Sequence, residues 1–276
     1  MSDSREKIGQ ISKLFDAVSE TYDSVGVEFF QPIASGLVRV LAPSFGESWL
    51  DIGCGRGAIA ENASPRLGAS GEMLGFDISE KMIGYAKVMA SRNNLRNVSF
   101  LVDDAQEPEK IDGKFDVISS CLVLFFLPDP LLALKNWHPF LKHSGRIGVT
   151  TFGQNDPRWM EIDQILSEYL PSRTLDARTS GIQSYFASDF GMESLLSDAG
   201  FHEVTTVKEV IPVIFKSLEK WYEFSWSTGQ RGAWLQIPEE ERALVRARAE
   251  ALLKNYMQND GSILFNQEVR HTLAKR

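Results

Sequence analysis

Two hydrophobic periods alternate along this chain. Short apolar runs with the look of buried strands stand at Trp49–Ile52, Met73–Asp77, Val98–Val102, Phe115–Ser120, Arg146–Phe152, 201–215 and Ile263–Ala274. Between them, apolar residues return every third or fourth position, the spacing of an amphipathic helix. In residues 5–20, Ile8, Ile11, Leu14, Phe15 and Val18 share one face. Residues 31–42 form a second helix with Pro32 in its first turn. Others run from Ala58 to Leu67, from the N-capping Ser79 onward, and from Asp129-Pro130, where Asp caps and Pro takes the first helical position. That last helix should bury Leu134, Trp137 and Leu141 and end at Lys142–Gly145. Further helices are expected over Pro157–Tyr169, from Ser188 to Gly200, around Trp221–Trp226 with Trp234 following, and from Pro238 with Val245, Ala249, Leu252 and Tyr256 as its stripe. Strands that alternate with helices predict an α/β fold, its sheet mostly parallel and covered on both faces.

Composition narrows the function classes. A net charge of -8 over 276 residues argues against a nucleic-acid partner, which needs a basic face. The polar N-terminus has no secretory apolar region, and no apolar run reaches membrane-spanning length, so a cytoplasmic protein with no membrane partner is expected. Cys54 and Cys121 lie in glycine-rich or apolar runs and are expected as reduced thiols. Neither has a histidine at zinc-ligand spacing, and no acidic cluster suggests Mg²⁺, so no metal is expected.

The chemistry concentrates at Leu50-Asp51-Ile52-Gly53-Cys54-Gly55-Arg56-Gly57. A strand that turns sharply into a helix presents free backbone N–H groups, and glycines let a ligand press against the main chain. With Asp51 ahead of the first glycine, this stretch resembles the first motif of class I S-adenosylmethionine (SAM) dependent methyltransferases of the small-molecule, UbiE-like type. Phe115-Asp116-Val117 is similar to that family's fourth-strand motif, and Phe15-Asp16 with Tyr22-Asp23 to a pair ahead of its first strand. The resemblance implies a Rossmann-like seven-stranded sheet of order 3-2-1-4-5-7-6 with strand 7 antiparallel and a helical cap or lid. It also implies SAM as cofactor. Asp51, Gly53, Cys54, Gly55 and Ser120 would then line the amino acid end, and Asp77, some twenty residues on, would take the ribose. Ile78 and Met82 would lie beside the adenine and ribose, and Asp104-Ala105 would meet the adenine, with Asp103 as the alternative carboxylate. Where relatives often carry a histidine pair, this chain has Phe125-Phe126.

Methyl transfer from a sulfonium is a displacement in which the protein mainly positions the acceptor and excludes water. His202 and His271 sit in strand-like runs and are expected as structural residues, and His138 and His143 as surface residues near a helix end. Glu28, Glu161, Glu193 and Glu223 are open as cap carboxylates. Tyr22 is the candidate for pocket closure, and Tyr22, Phe125, Tyr185, Phe186 and Trp226 are candidates for an apolar acceptor pocket. The aromatic density suggests a small apolar or aromatic metabolite, with O-, N- and C-methylation, including that of a prenyl chain, all open. Four segments are expected: N-terminal helices over 1–45 as lid or oligomer contact, a SAM-binding core over 46–152, a cap insertion over 153–187, and sheet completion over 188–276 with a second cap segment around 216–258. A homo-oligomer is expected. Two rivals remain: a nicotinamide-dependent oxidoreductase, which lacks a convincing Tyr-x-x-x-Lys pair, and a non-catalytic SAM-binding protein.

Overall fold

A computed structural model describes residues 2–170 and 185–276, with side chains from residue 8 onward. The polar loop expected between the cap helix and Tyr185 lies almost wholly outside the described residues. Seven strands form one sheet in the order β3-β2-β1-β4-β5-β7-β6. They are β1 (Ser48–Ile52), β2 (Glu72–Asp77), β3 (Val98–Val102), β4 (Phe115–Cys121), β5 (Leu141–Asn155), β6 (His202–Phe215) and β7 (Ile263–Lys275). Strand β7 runs antiparallel to both neighbours, and the other pairs are parallel. Every residue of β1 is buried, which follows from helices covering both faces.

Helices α1 (Ser2–Val18) and α2 (Phe30–Leu41) precede the sheet. Next come α3 (Ala58–Leu67), α4 (Glu80–Arg92), α5 (Pro130–Trp137), α6 (Pro157–Ser167) and α7 (Asp189–Asp198). Between β6 and β7 lie α8 (Leu218–Ser227), α9 (Arg231–Gln236) and α10 (Glu239–Leu253). Local chemistry sets these starts. Ser79 and Asp129 each accept a backbone N–H three residues on, from Met82 and Leu132.

Two boundaries differ from the sequence pattern. Helix α5 stops at Trp137, a 3₁₀ turn over His138–Phe140 follows, and β5 starts at Leu141 rather than Arg146. Pro139 cannot donate the next helical hydrogen bond. Leu141 is buried as expected, but as the strand partner of Phe115, and a register shift before Val117 absorbs the extra residues. The α10 stripe is Val245, Ala249 and Leu253, while Tyr256 falls in a 3₁₀ turn beyond the helix.

The core has two parts. One lies between the sheet, α5, α7 and the cap helices, and includes Trp137, Trp221 and Trp234. The other lies under α2, α3 and α4, around Trp49, Leu37 and Phe100. No described helix is long and apolar enough to cross a membrane.

Candidate active site

The site grows from the C-terminal ends of β1, β2 and β4. After Ile52 the chain turns at Gly53 and Gly55, both at positive φ (70° and 51°), before α3 begins at Ala58. A Cβ on Gly55 would meet nothing within 4 Å, so this loop borders open space. The Gly55 N–H donates to Asp77 Oδ2 at 2.9 Å, and the Ser79 N–H donates to Asp77 Oδ1 at 2.9 Å. One carboxylate thereby pins the glycine loop to the end of β2. Burial raises the pKa of Asp77, and the Ser79 and Gly55 N–H groups oppose it.

Asp51 lies deeper. Its Oδ1 accepts the Ser119 hydroxyl at 2.7 Å, and Ser119 in turn accepts the Trp49 indole N–H at 2.8 Å. Its Oδ2 is buried with no partner, and so is the Ser120 hydroxyl. Burial pushes the Asp51 carboxyl up to about 7; the Ser119 hydrogen bond lowers it and nearby Asp77 raises it. An orphaned carboxylate oxygen in this position suits a cationic group.

At the end of β3 the two adjacent carboxylates divide their work. Asp103 accepts the N–H groups of Asp104, Glu109 and Lys110, which uses both its oxygens to hold the following loop. Asp104 and Ala105 face the cavity instead. Burial raises the pKa of Asp104.

A cavity opens over these strand ends. Gly53, Gly55, Asp77, Ile78, Met82 and Asp104 form its floor and one side. Cys121, Leu122, Val123, Phe126 and Leu127 form the other. Leu122 has φ 59°, a left-handed conformation that costs a leucine about 1–3 kcal/mol and turns the chain sharply after β4. Ile8, Ile11 and Phe15 of α1 make the roof, with Tyr22 beside them.

The roof is tied down at several points. Asp16 accepts the Ser79 hydroxyl, Ser12 donates to the Ile78 carbonyl at 3.5 Å, and Arg56 donates to the carbonyls of Glu20 and Tyr22. Phe15 meets Phe126 edge-on at 5.3 Å, and Tyr22 stacks on Phe30 at 4.2 Å. Burial holds the Tyr22 phenol protonated well above its ordinary range.

Tyr22, Gly53, Gly55, Asp77, Ile78, Met82, Asp104 and Ala105 thus meet at one cavity, while Asp51, Cys54 and Ser120 are buried and are not among its lining residues. The aromatic candidates fare differently. Phe126 takes the wall, and Phe125 turns into the core against Phe152 and Phe186. Tyr185 and Phe186 belong to that core layer. Trp226 stacks on Trp234 within the cap, outside the cavity. The side chains of Phe126, Leu122 and Val123 escaped sequence reasoning, although the apolar run after β4 was the signal for them. None of the four histidines, and none of Glu28, Glu161, Glu193 and Glu223, lines the cavity. Among the described residues no three metal-ligating side chains cluster.

A family model described as a methyltransferase domain matches residues 44–184. The nocamycin O-methyltransferase of Saccharothrix syringae is 30% identical over 246 residues, covering 85% of this chain and 87% of that protein. The chain belongs to the methyltransferase family. The aklanonic acid methyltransferase DauC of Streptomyces sp. (strain C5) is 40% identical over 181 residues, covering 63% of this chain and 82% of the relative. The YcgJ protein of Bacillus subtilis shares the fold, with a TM-score of 0.59 at 17% identity over 88% of this chain and 97% of that one. This methyltransferase is therefore a SAM-dependent enzyme of the class I, UbiE-like type, and SAM is its cofactor. The orphaned Asp51 oxygen and the open face of Gly55 fit that cofactor's ammonium and backbone.

Proposed function

We propose that this methyltransferase methylates an oxygen, an acidic hydroxyl or carboxyl, of a small apolar, ring-bearing metabolite in natural-product biosynthesis. The observation that carries this reading is the acceptor-side wall. Phe15, Leu122, Val123, Phe126 and Leu127 are apolar, and among the described residues no histidine, lysine or arginine lines the cavity. An acceptor whose oxygen gives up its proton readily needs little from such a wall beyond shape and dryness. The two relatives named above support the reading, since one is named an O-methyltransferase and the other acts on an acid.

When bound, the cofactor supplies a methyl group already activated on a sulfonium. Asp51 would hold its ammonium, with Cys54 and Ser120 shaping the wall behind the glycines. Asp77 would take the ribose, Ile78 and Met82 the faces of ribose and adenine, and Asp104-Ala105 the adenine edge. Tyr22 and Phe15 close the acceptor end against water. On this reading residues 46–152 are the cofactor-binding core and the helices of 1–45 roof the cavity. Reduced Cys54 and Cys121 fit a cytoplasmic enzyme.

The test is product analysis. The protein is incubated with SAM and a panel of aromatic carboxylic acids, phenols, enols, amines and prenylated quinols. Methyl esters or ethers as the only products support the reading. N- or C-methyl products alone would replace it with the other chemistry.

A further inference from the structure

Three aromatic rings line the methyl-transfer cavity: Phe15 of α1, Tyr22 just after that helix, and Phe126 after β4. They are not stacked on one another. Phe15 meets Phe126 at 5.3 Å with the ring planes at 90°, and Tyr22 at 6.3 Å with the planes at 73°. Rings set at such angles are the walls of one corner. Two of the walls are braced by further rings. Phe30 stacks on Tyr22 at 4.2 Å, and Phe125 packs against Phe126 at 4.7 Å. Phe125 in turn lies 5.3 Å from the Phe152 ring. Phe125 is buried, whereas Phe15, Tyr22 and Phe126 keep part of their surface open. The corner is thus held in place before any ligand arrives, and needs no rearrangement to meet one.

The charged side chains around this corner have one sign. Asp77 and Asp104 line the cavity, and among the described residues no histidine, lysine or arginine does. Both Asp77 oxygens accept N–H groups, from Gly55 and Ser79, and Asp104 accepts the Gln106 N–H at 2.8 Å. Leu122, Val123 and Leu127, which share the wall with Phe126, are apolar. Positive charge at this end of the cavity therefore meets ring faces rather than a free carboxylate. An aromatic ring is negative over its face, and a cation beside it gains most where water is excluded. A leucine in the same place offers shape but no such field.

We propose that Phe15, Tyr22 and Phe126 form an aromatic corner that recognises the sulfonium of the cofactor and so favours SAM over S-adenosylhomocysteine. This rests on the cofactor assignment given above. The two forms differ by one methyl group and by the positive charge on sulfur, which is a neutral thioether in the product. Contacts to the ammonium, ribose and adenine are common to both forms and cannot tell them apart, so the rings are what reads the charge. Their use lies in exchange: spent cofactor is held less tightly than fresh donor, and the site reloads. They do not speed the chemical step. The charge on sulfur falls as the methyl group leaves, so an attraction made in the ground state is weaker in the transition state.

The test is isothermal titration of the full-length protein, without acceptor, with SAM, S-adenosylhomocysteine and sinefungin. Sinefungin carries a charged amine where SAM has its methylated sulfur. Wild-type protein should bind SAM and sinefungin about tenfold more tightly than S-adenosylhomocysteine, within the range of a desolvated cation on an aromatic face. Phe126→Leu and Phe15→Leu should each cut that ratio by about threefold or more, while S-adenosylhomocysteine affinity changes by less than about twofold. Phe126→Tyr and Phe15→Tyr keep a ring and should keep the ratio. Equal affinity of the wild type for SAM and S-adenosylhomocysteine would overturn the proposal. So would an unchanged ratio in both leucine variants, or an equal loss for all three ligands, which would leave the rings a role in shape alone. Should Phe126→Leu not fold, the two Phe15 variants, on the roof helix away from the sheet, decide alone. Binding of none of the three ligands by folded wild-type protein would overturn the cofactor assignment itself, and with it the role given to the rings.

Discussion

Asp51 shows how one residue can serve a cofactor at a cost to the fold. Its folded pKa of about 7 lies above the ordinary carboxylate range, so between about pH 4 and 7 the folded state holds a proton that the unfolded chain has lost. Its contribution to stability therefore falls as pH rises through that window. A cationic ligand beside the orphaned oxygen reverses the balance and drives the proton off. S-adenosylhomocysteine affinity should then rise with pH between 6 and 8, and titrations in buffers of different ionisation enthalpy should show proton release. Asp51→Asn should flatten that dependence and weaken binding by roughly tenfold or more, the worth of a charge-assisted hydrogen bond. At Gly55, φ of 51° and an open face leave no tolerance for a branched side chain. Gly55→Val should cut S-adenosylhomocysteine affinity at least about a hundredfold by filling the space and straining the loop, while circular dichroism stays unchanged. Glycine spacing and a strand-end acid made Gly55 and Asp77 legible in the sequence. The preference for Asp104 over Asp103 came from the family resemblance, whereas Phe126 rather than Phe125 as the cavity residue was not legible, because neighbours in a turn diverge by angles that only the folded backbone sets.

Among the elements, α1 carries the clearest functional load. Its apolar face was visible in the spacing of Ile8, Ile11 and Phe15, and the structure lays that face on the cavity. Asp16 fixes its last turn to Ser79 at the start of α4. Asp16→Ala should speed cofactor release by several-fold with little loss of melting temperature, because the sheet is untouched and Ser79 keeps its cap on α4. Stopped-flow fluorescence of S-adenosylhomocysteine release checks this, and unchanged release would mean that α1 does not gate the site. The start of β5 shows where periodicity misleads. Leu134, Trp137 and Leu141 keep helical spacing, yet Pro139 interrupts the hydrogen-bond ladder between them and the last of the three is buried in a strand.

At the scale of the whole molecule, alternating strands and helices sufficed for the class of fold, and the strand order followed from the family resemblance rather than from any periodicity. Among the aromatic residues after β6, Trp226 was a candidate for the acceptor pocket, and their density suggested an apolar or aromatic acceptor. In the structure most of them are core. Trp234 is fully buried, donates its indole N–H to Ser225 at 2.8 Å and packs on Trp221 and Trp226. Trp234→Ala should destabilise the protein by about 3–5 kcal/mol in urea unfolding. High aromatic density carries no label for side chains that face a cavity, so that distinction was out of reach before the fold was known. The most direct measurement of the central claim is methyl transfer with SAM carrying a deuterated methyl group, read by mass spectrometry against aromatic and polycyclic acids and enols. The label should appear on an acceptor oxygen. Label found only on nitrogen or carbon, or on no acceptor while S-adenosylhomocysteine still binds, would contradict the account.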